Sequence, residues 1–409
     1  MTLGFSLFLF LLFFGAPVVF ALGVASLVVL TLVMDVPVAI VSQRIYAGLN
    51  SFTIMAIPFF VMAGLIMDAG GISRRIVALA DAIVGWMTGS LLMVSVMAST
   101  GMAAVSGSGT ADTAAISAVM QPEIRRRRYD VDFAAAVIAA GGSLAAIIPP
   151  SLFMVVIGTI SSVSVGALFL SGIVPGIIIA AGLLSISYVH AKRGGPQYRE
   201  TTPFSTRRLG QAFVSGVFTP TEAAGVAVLY GLVVGMLVHR ELKPSALPGL
   251  ILRASALSAA VMMIIAAASI FGWLVASANV PRILGGYMMS VSDSAITFLL
   301  IVNVLLLLVG MLMESIAAML ILVPILTPIA LSYGIDPVHF ALVVVLNLTI
   351  GLITPPYGIT LYVAASIAGR PIMSVARRAL WPFLVMFAVL LLVTFAPAVP
   401  LFLPRAIMG

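Results

Sequence analysis

Ser106-Gly107-Ser108-Gly109-Thr110-Ala111-Asp112-Thr113 at one end and Ile147-Ile148-Pro149-Pro150 at the other frame a stretch, Ala104 to Pro150, that is small, polar and helix-breaking in a chain built almost wholly from hydrocarbon. In lipid each unpaired backbone amide or carbonyl costs several kcal/mol, so irregular backbone survives at membrane depth only where protein or a ligand-filled cavity satisfies it. The stretch therefore reads as the lining of such a cavity.

Of 409 residues, 62% are hydrophobic and 8% charged, against about 25% charged in ordinary soluble domains. The chain is all-α and polytopic in the membrane. At about 20 apolar residues per crossing it has room for about ten to twelve helical segments. A transmembrane β-barrel is excluded, because the apolar blocks are long rather than short and alternating. The first 34 residues lack a basic leader region and read as mature membrane helix. There is no cysteine, which removes disulfides and thiolate metal sites.

The formal charge of +7 is clustered. Arg125 to Arg128 form a run between two apolar blocks, and Lys192, Arg193, Arg199, Arg207 and Arg208 fall in the most polar linker. The positive-inside rule puts both clusters in the cytoplasm, with 131–160 and 166–190 crossing once each way. A phosphate or nucleic-acid role for the arginines is disfavoured, because no aromatic interleaving or groove-reading motif accompanies them.

Thr2 to Met34 is too long for one straight crossing and carries Gly15 and Pro17 near its middle, so a bent or two-part helix is expected. Phe52 to Met67, with Pro58, is a further apolar segment. Ile72 to Trp86 spaces Ile72, Ile76, Leu79, Ala80 and Ile83 helically while Ser73, Arg74, Arg75 and Asp81 break the apolar run, which suits a helix lying in the interface. Leu91 to Met120 has apolar arms too short to cross a bilayer of about 30 Å. They form a re-entrant hairpin with its tip at Ser106 to Asp112. The next helix, Val131 to Ile160, is interrupted at Pro149-Pro150.

The second half echoes the first. Tyr129-Asp130, Phe133 and Ile148-Pro149-Pro150 return as Tyr333, Asp336, Phe340 and Thr354-Pro355-Pro356, each shifted by close to half the chain; Asp112 returns as Glu314, and Ile72-Ser73-Arg74 as Val280-Pro281-Arg282. Paired discontinuous elements of this kind build a midplane site at the repeat interface of secondary transporters, where half-helix N-termini suit a carboxylate and unwound carbonyls and hydroxyls suit sodium. The expected fold is two inverted-topology repeats, each with a re-entrant hairpin and a Pro-Pro-broken helix. The first, 1–195, divides into scaffold 1–70, arm 71–87, and hairpin and broken helix 90–192. A polar linker, 196–210, leads to the second, 211–409, with scaffold 218–278, arm 279–291, hairpin and broken helix 293–368, and a C-terminal helix 372–404.

The candidate solute-binding residues are Ser106, Gly107, Ser108, Gly109, Thr110, Ser151, Thr354, Pro355, Pro356 and Gly358. The candidate sodium ligands are Ser106, Ser108, Asp112, Ser143, Pro149, Gly310, Glu314, Thr349 and Thr354. Thr113, Ser315 and Thr360 offer further oxygens. Asp112 and Glu314 are ionisable groups in apolar surroundings, which mark an ion or solute path. Hydroxyls also serve as small helix-packing groups, and an acid near a tip can cap the next helix.

Asn50-Ser51-Phe52, Ala56-Ile57-Pro58-Phe59-Phe60, Ala63-Gly64, Ser106-Gly107-Ser108, Phe218-Thr219-Pro220-Thr221-Glu222-Ala223-Ala224, Gly334 to Phe340 and Thr354-Pro355-Pro356 with Gly358 together resemble the large membrane subunit of the tripartite ATP-independent periplasmic (TRAP) transporters. The resemblance runs from near residue 15 to the C-terminus. It implies a sodium-coupled, elevator-type importer of an organic anion such as a C4-dicarboxylate, a sialic acid or another sugar acid, in the bacterial inner membrane. It also implies two partners, a small four-helix membrane subunit and a periplasmic substrate-binding protein. One departure stands out: Phe204 to Val217 is too short and too polar to cross, where the family carries a long apolar segment.

Enzymatic readings find little support. The three histidines, His190, His239 and His339, form no His-Glu-x-x-His, Ser106 lacks the preceding glycine of a nucleophile motif, and there is no Walker A sequence. His339 reads as a packed residue and Glu222 as a helix cap. The runner-up is a substrate-gated channel or uncoupled anion facilitator, or a member of another family of the ion-transporter superfamily.

Overall fold

The computed structural model describes residues 2–50, 52–199, 228, 232–238, 241–291, 294–356 and 358–409. Among these residues the chain is helical throughout, with no strand. Five helices, Val165–Arg193, Pro244–Ser277, Ala295–Leu312, Ser315–Ser332 and Ile372–Phe395, are long and apolar enough to cross a membrane. Phe204 to Val217, Glu222 and His239 lie outside the described residues.

The N-terminal segment is in two parts. α1 (Thr2–Phe13) and α2 (Val18–Val28) turn at Gly15 and Pro17, and the beginning of α1 returns to the end of α2, where Gly4 meets the Val29 side chain. α3 (Val38–Leu49) follows, a helix with no counterpart among the apolar blocks because Ser42, Gln43 and Arg44 interrupt it. α4 (Phe52–Ala69) carries Pro58 inside. α5 (Ile72–Val84) buries Ile76, Ala80 and Val84 while Arg74 faces outward; Ile83, expected on the apolar side, is exposed, and Ser73, expected among the polar residues, is buried.

α6 (Ser90–Ser106) and α7 (Gly109–Arg126) make the first hairpin. α8 (Val131–Ser143) starts at Asp130, whose carboxylate accepts from the Asp132 and Phe133 amides at 3.1 and 3.0 Å. A 3-10 turn, Leu144–Ala146, leads to the break, and α9 (Leu152–Ser161) resumes beyond it. α10 (Val165–Arg193) then crosses in one piece.

After the linker come α11 (Leu247–Ser277), α12 (Val280–Val291), and a second hairpin made of α13 (Ala295–Leu312) and α14 (Ser315–Ser332). α15 (Pro337–Gly351) starts at Asp336, whose carboxylate accepts from the Val338 and His339 amides at 2.8 and 3.2 Å. α16 (Ile359–Ile367) follows the second break. Pro149-Pro150 and Pro355-Pro356 are both joined by cis peptides. The C-terminal helix expected over 372–404 is instead two, α17 (Ile372–Phe395) and α18 (Ala398–Met408), because Pro397 cannot continue the ladder of α17 and serves as the cap of α18.

The halves interlock. α9, which follows the first break, packs on α14 and α15 of the second half, while α16, which follows the second break, packs on α7 and α8 of the first. α8 is fully buried from Phe133 through Ser143, and α15 from His339 through Gly351. The alanines and glycines of α8 let these backbones approach closely, which is how helices associate where lipid offers no hydrophobic drive. α11 packs against α2, α3, α4 and α14, alongside this double core.

Candidate functional site

Proline supplies no N–H, so each Pro-Pro pair orphans the carbonyls four residues before it. At the first break the Ala146 carbonyl is recovered by the Ser151 hydroxyl at 2.6 Å. At the second, the Leu352 carbonyl accepts from both the Thr360 hydroxyl, at 2.7 Å, and the Thr360 amide, at 3.2 Å. The threonine and serine after each break thus close what the prolines open. Thr349 and Thr354 donate to the Val345 and Ile350 carbonyls of their own helix, each at 2.7 Å, and Ser143 donates to Ala140 at 2.7 Å. A hydroxyl that donates in this way keeps its lone pairs for a cation or a ligand.

Each tip is pressed onto a break. Gly107 turns the first tip in the left-handed region at φ 64°, and a Cβ there would stand 2.6 Å from the Pro150 carbonyl. Only glycine fits both the angle and the gap. At the second tip the backbones of Gly310 and Gly351 meet so closely that a Cβ on Gly351 would be 2.7 Å from the Gly310 carbonyl, and Ser315 donates to the Leu348 carbonyl at 3.2 Å.

The two tips differ in how their helices are capped. Glu314 caps α14 with its own carboxylate, which accepts from the Ala317 amide at 2.8 Å. Ser108 caps α7 with no bond from its side chain to a first-turn amide; its hydroxyl instead lies 3.4 Å from that of Thr110. The first-turn amides of an α-helix have no partner within it, and Gly109, Thr110 and Ala111, the first-turn residues of α7, line a cavity. Beside them Ser106 accepts from the Ser108 amide at 3.0 Å and donates to the buried Asp112 carboxylate. This tip combines a helix N-terminus with hard oxygens, the pairing that serves anions and sodium in membrane transporters.

The cavity, about 280 Å³, lies where the halves meet. The first tip contributes Ser106 through Ala111, the second Glu314 and Ile316, and the breaks Ala146, Leu152, Phe153, Leu352 and Ile359. Ser106, Gly107, Ser108, Gly109, Thr110 and Glu314 are thereby brought together. Ser151, Thr354, Pro355, Pro356 and Gly358 belong to the breaks and form no part of the described cavity wall; the same holds for Asp112, Ser143, Pro149, Gly310 and Thr349. Val61, Gly64 and Leu65 of α4, Met102 of α6, and Leu257 and Val261 of α11 complete the wall. Apolar residues on long apolar helices carry no local mark, so the sequence singles out none of these except Gly64, through its place in the family motif.

The basic run has structural partners. Arg126 and Arg127 both reach Glu123 at 2.6 Å, and the hydrogen bond from Arg126 leads in holding the Glu123 carboxyl below its usual range. Arg125 donates to the Ala368 carbonyl, across the two halves. Nearby, Arg370 grips Asp132 in two bonds of 2.6 and 2.9 Å, and Arg378 meets Asp130 at 3.0 Å. Tyr198, buried after α10, accepts from the Asp130 amide at 3.0 Å through its hydroxyl.

Comparison with known proteins gives one family. The model of the DctM component of the tripartite ATP-independent periplasmic transporters matches residues 5–399. The chain is 37% identical to the sialic acid TRAP transporter large permease SiaM of Vibrio cholerae, over 98% of this chain and 97% of that protein. It is 36% identical to the 2,3-diketo-L-gulonate permease YiaN of Escherichia coli, over 94% of each. It is 38% identical to the isethionate permease DctMQ of Oleidesulfovibrio alaskensis over 97% of this chain, which spans only 65% of that longer protein. These relatives are named as transporter permeases, not as enzymes.

Proposed function

The chain belongs to the DctM family of TRAP transporter large permeases, and from that membership we propose that it imports an organic anion by sodium-coupled secondary transport, with an elevator movement of the two hairpins and two broken helices. Its partners are a small membrane subunit and a periplasmic substrate-binding protein, and its place is the bacterial inner membrane. The observation that carries the reading is the first tip: the first-turn residues of α7, Gly109, Thr110 and Ala111, line a cavity at the junction of the two halves, and Ser108 makes no side-chain cap on that turn.

A carboxylate seated there meets the positive end of α7 and the Ser108 and Thr110 hydroxyls. Sodium is held beside it. At the first tip Ser106 and Asp112 supply oxygens, with Ser108, Ser143 and the Pro149 carbonyl across the break. At the second, Gly310, Glu314, Thr349 and Thr354 supply them. In each case the ion joins a tip to a broken helix, so binding it sets the geometry that receives the anion. The inverted repeat gives two such junctions around one cavity. The amphipathic α5 and α12 join this moving unit to a scaffold of α1–α4 and α11. The named relatives are said to carry isethionate, a sialic acid, C4-dicarboxylates and diketogulonate, all small organic anions, which supports the solute class.

The test is uptake into proteoliposomes that hold the chain with its small membrane subunit, with the binding protein outside and radiolabelled succinate, N-acetylneuraminate and 4-methylpentanoate offered in turn. An inward sodium gradient is expected to drive accumulation of at least one, and collapsing the gradient is expected to abolish it. Flux that persists without sodium gradient or binding protein would overturn coupling and make the chain a channel.

A further inference from the structure

The cavity wall is divided by chemistry. Its hydrogen-bonding groups are gathered at the Ser106–Thr110 tip, with Glu314 the one other polar side chain among the described lining residues. The remainder is hydrocarbon: Val61 and Leu65 from α4, Leu257 and Val261 from α11, Phe153 from α9 and Ile359 from α16. No lysine, arginine or histidine lines it among the described residues.

A solute hydroxyl or second carboxylate pressed against such a wall would lose its water and gain no partner. That loss weakens binding for a neutral polar group and far more for a charge. Hydrocarbon placed there gains by burial, in proportion to the area removed from water. The volume, about 280 Å³, falls just below the roughly 300–1,000 Å³ typical of ligand pockets, so the solute is small.

Resting on the anion-import reading above, we infer that this chain selects a small monocarboxylate with an apolar aliphatic body, in preference to dicarboxylates and polyhydroxylated sugar acids. The carboxylate meets the α7 amides, and the body lies between α4 and α11. Glu314 adds to the exclusion of a second carboxylate. Its carboxyl oxygens are acceptors engaged with the Ala317 amide, so they offer a second carboxylate no donor. Selection at this wall is separate from selection by any soluble binding protein, because it acts on the solute after delivery.

The test is direct binding to the full chain in lipid nanodiscs with sodium chloride present, titrating 4-methylpentanoate, succinate, N-acetylneuraminate and the neutral 4-methylpentanamide. The expected order is 4-methylpentanoate at least tenfold tighter than succinate or N-acetylneuraminate, with the amide too weak to measure. Anions that bind, with succinate or N-acetylneuraminate as tight or tighter, overturn this inference and leave the anion reading standing. Failure of all three anions, or equal binding of the amide, overturns the anion reading itself. Val261→Thr, close in volume, adds one hydroxyl to the apolar side and is expected to narrow the preference over succinate at least threefold. An unchanged preference in that variant, folded by its melting curve, removes α11 from the selecting wall.

Discussion

Gly351 and Gly310 show how little room the second junction leaves. A methyl group on Gly351 would sit 2.7 Å from the Gly310 carbonyl, so Gly351→Ala has to push two buried backbones apart. Overpacking of this kind costs about 1–3 kcal/mol. We expect a lowered melting temperature for the detergent-purified chain, whereas Gly249→Ala, with open space around the added carbon, leaves it unchanged. At the same scale, Ser108 and Thr354 stand at the first tip and the second break. The double variant Ser108→Ala with Thr354→Ala removes hydroxyls while leaving the glycine contacts intact, so the protein is expected to fold and to lose sodium-dependent uptake. Retained uptake would remove these hydroxyls from the transport path.

Helix starts and breaks carry the sequence's clearest instructions. Asp130 and Asp336 each satisfy two amides at the head of a buried broken helix. Losing a cap costs about 1 kcal/mol, so Asp336→Ala is expected to lower stability by about that much in thermal unfolding. Asp130→Ala is expected to cost more, because Arg378 loses its partner as well. The hairpins and breaks were legible because glycine, serine and proline act locally, through φ, caps and a missing N–H. The division at Pro397 was equally local, and the apolar residues around it hid it. α3 escaped because its polar middle does not resemble a membrane block. Apart from Gly64, the cavity wall on α4 and α11 could not be read: Val61 or Leu257 differs from any other lipid-soluble residue only through what folds against it.

At the scale of the molecule, the basic run is held by acids and carbonyls rather than left open. Arg125 reaches Ala368, and Arg126 and Arg127 share Glu123. Because the chain has no cysteine, Arg127→Cys introduces the sole thiol. We expect an impermeant maleimide to label it in inside-out vesicles and not from the periplasmic face; the reverse pattern would invert the topology. The clustering of charge made this end of the molecule legible from sequence, but the cross-half contacts were not, since nothing local pairs residue 125 with residue 368.

The exchange of α9 and α16 between halves has a consequence for biogenesis. The first hairpin is incomplete when the ribosome finishes the first half, because α16, which packs on its α7, has not yet been made. Contacts this distant in sequence close late and slowly, so the early half waits in the bilayer with its polar tip uncovered. Membrane insertases and quality-control proteases would meet that intermediate on every round of synthesis, and a chain stopped after α10 would be a substrate for degradation rather than half a transporter.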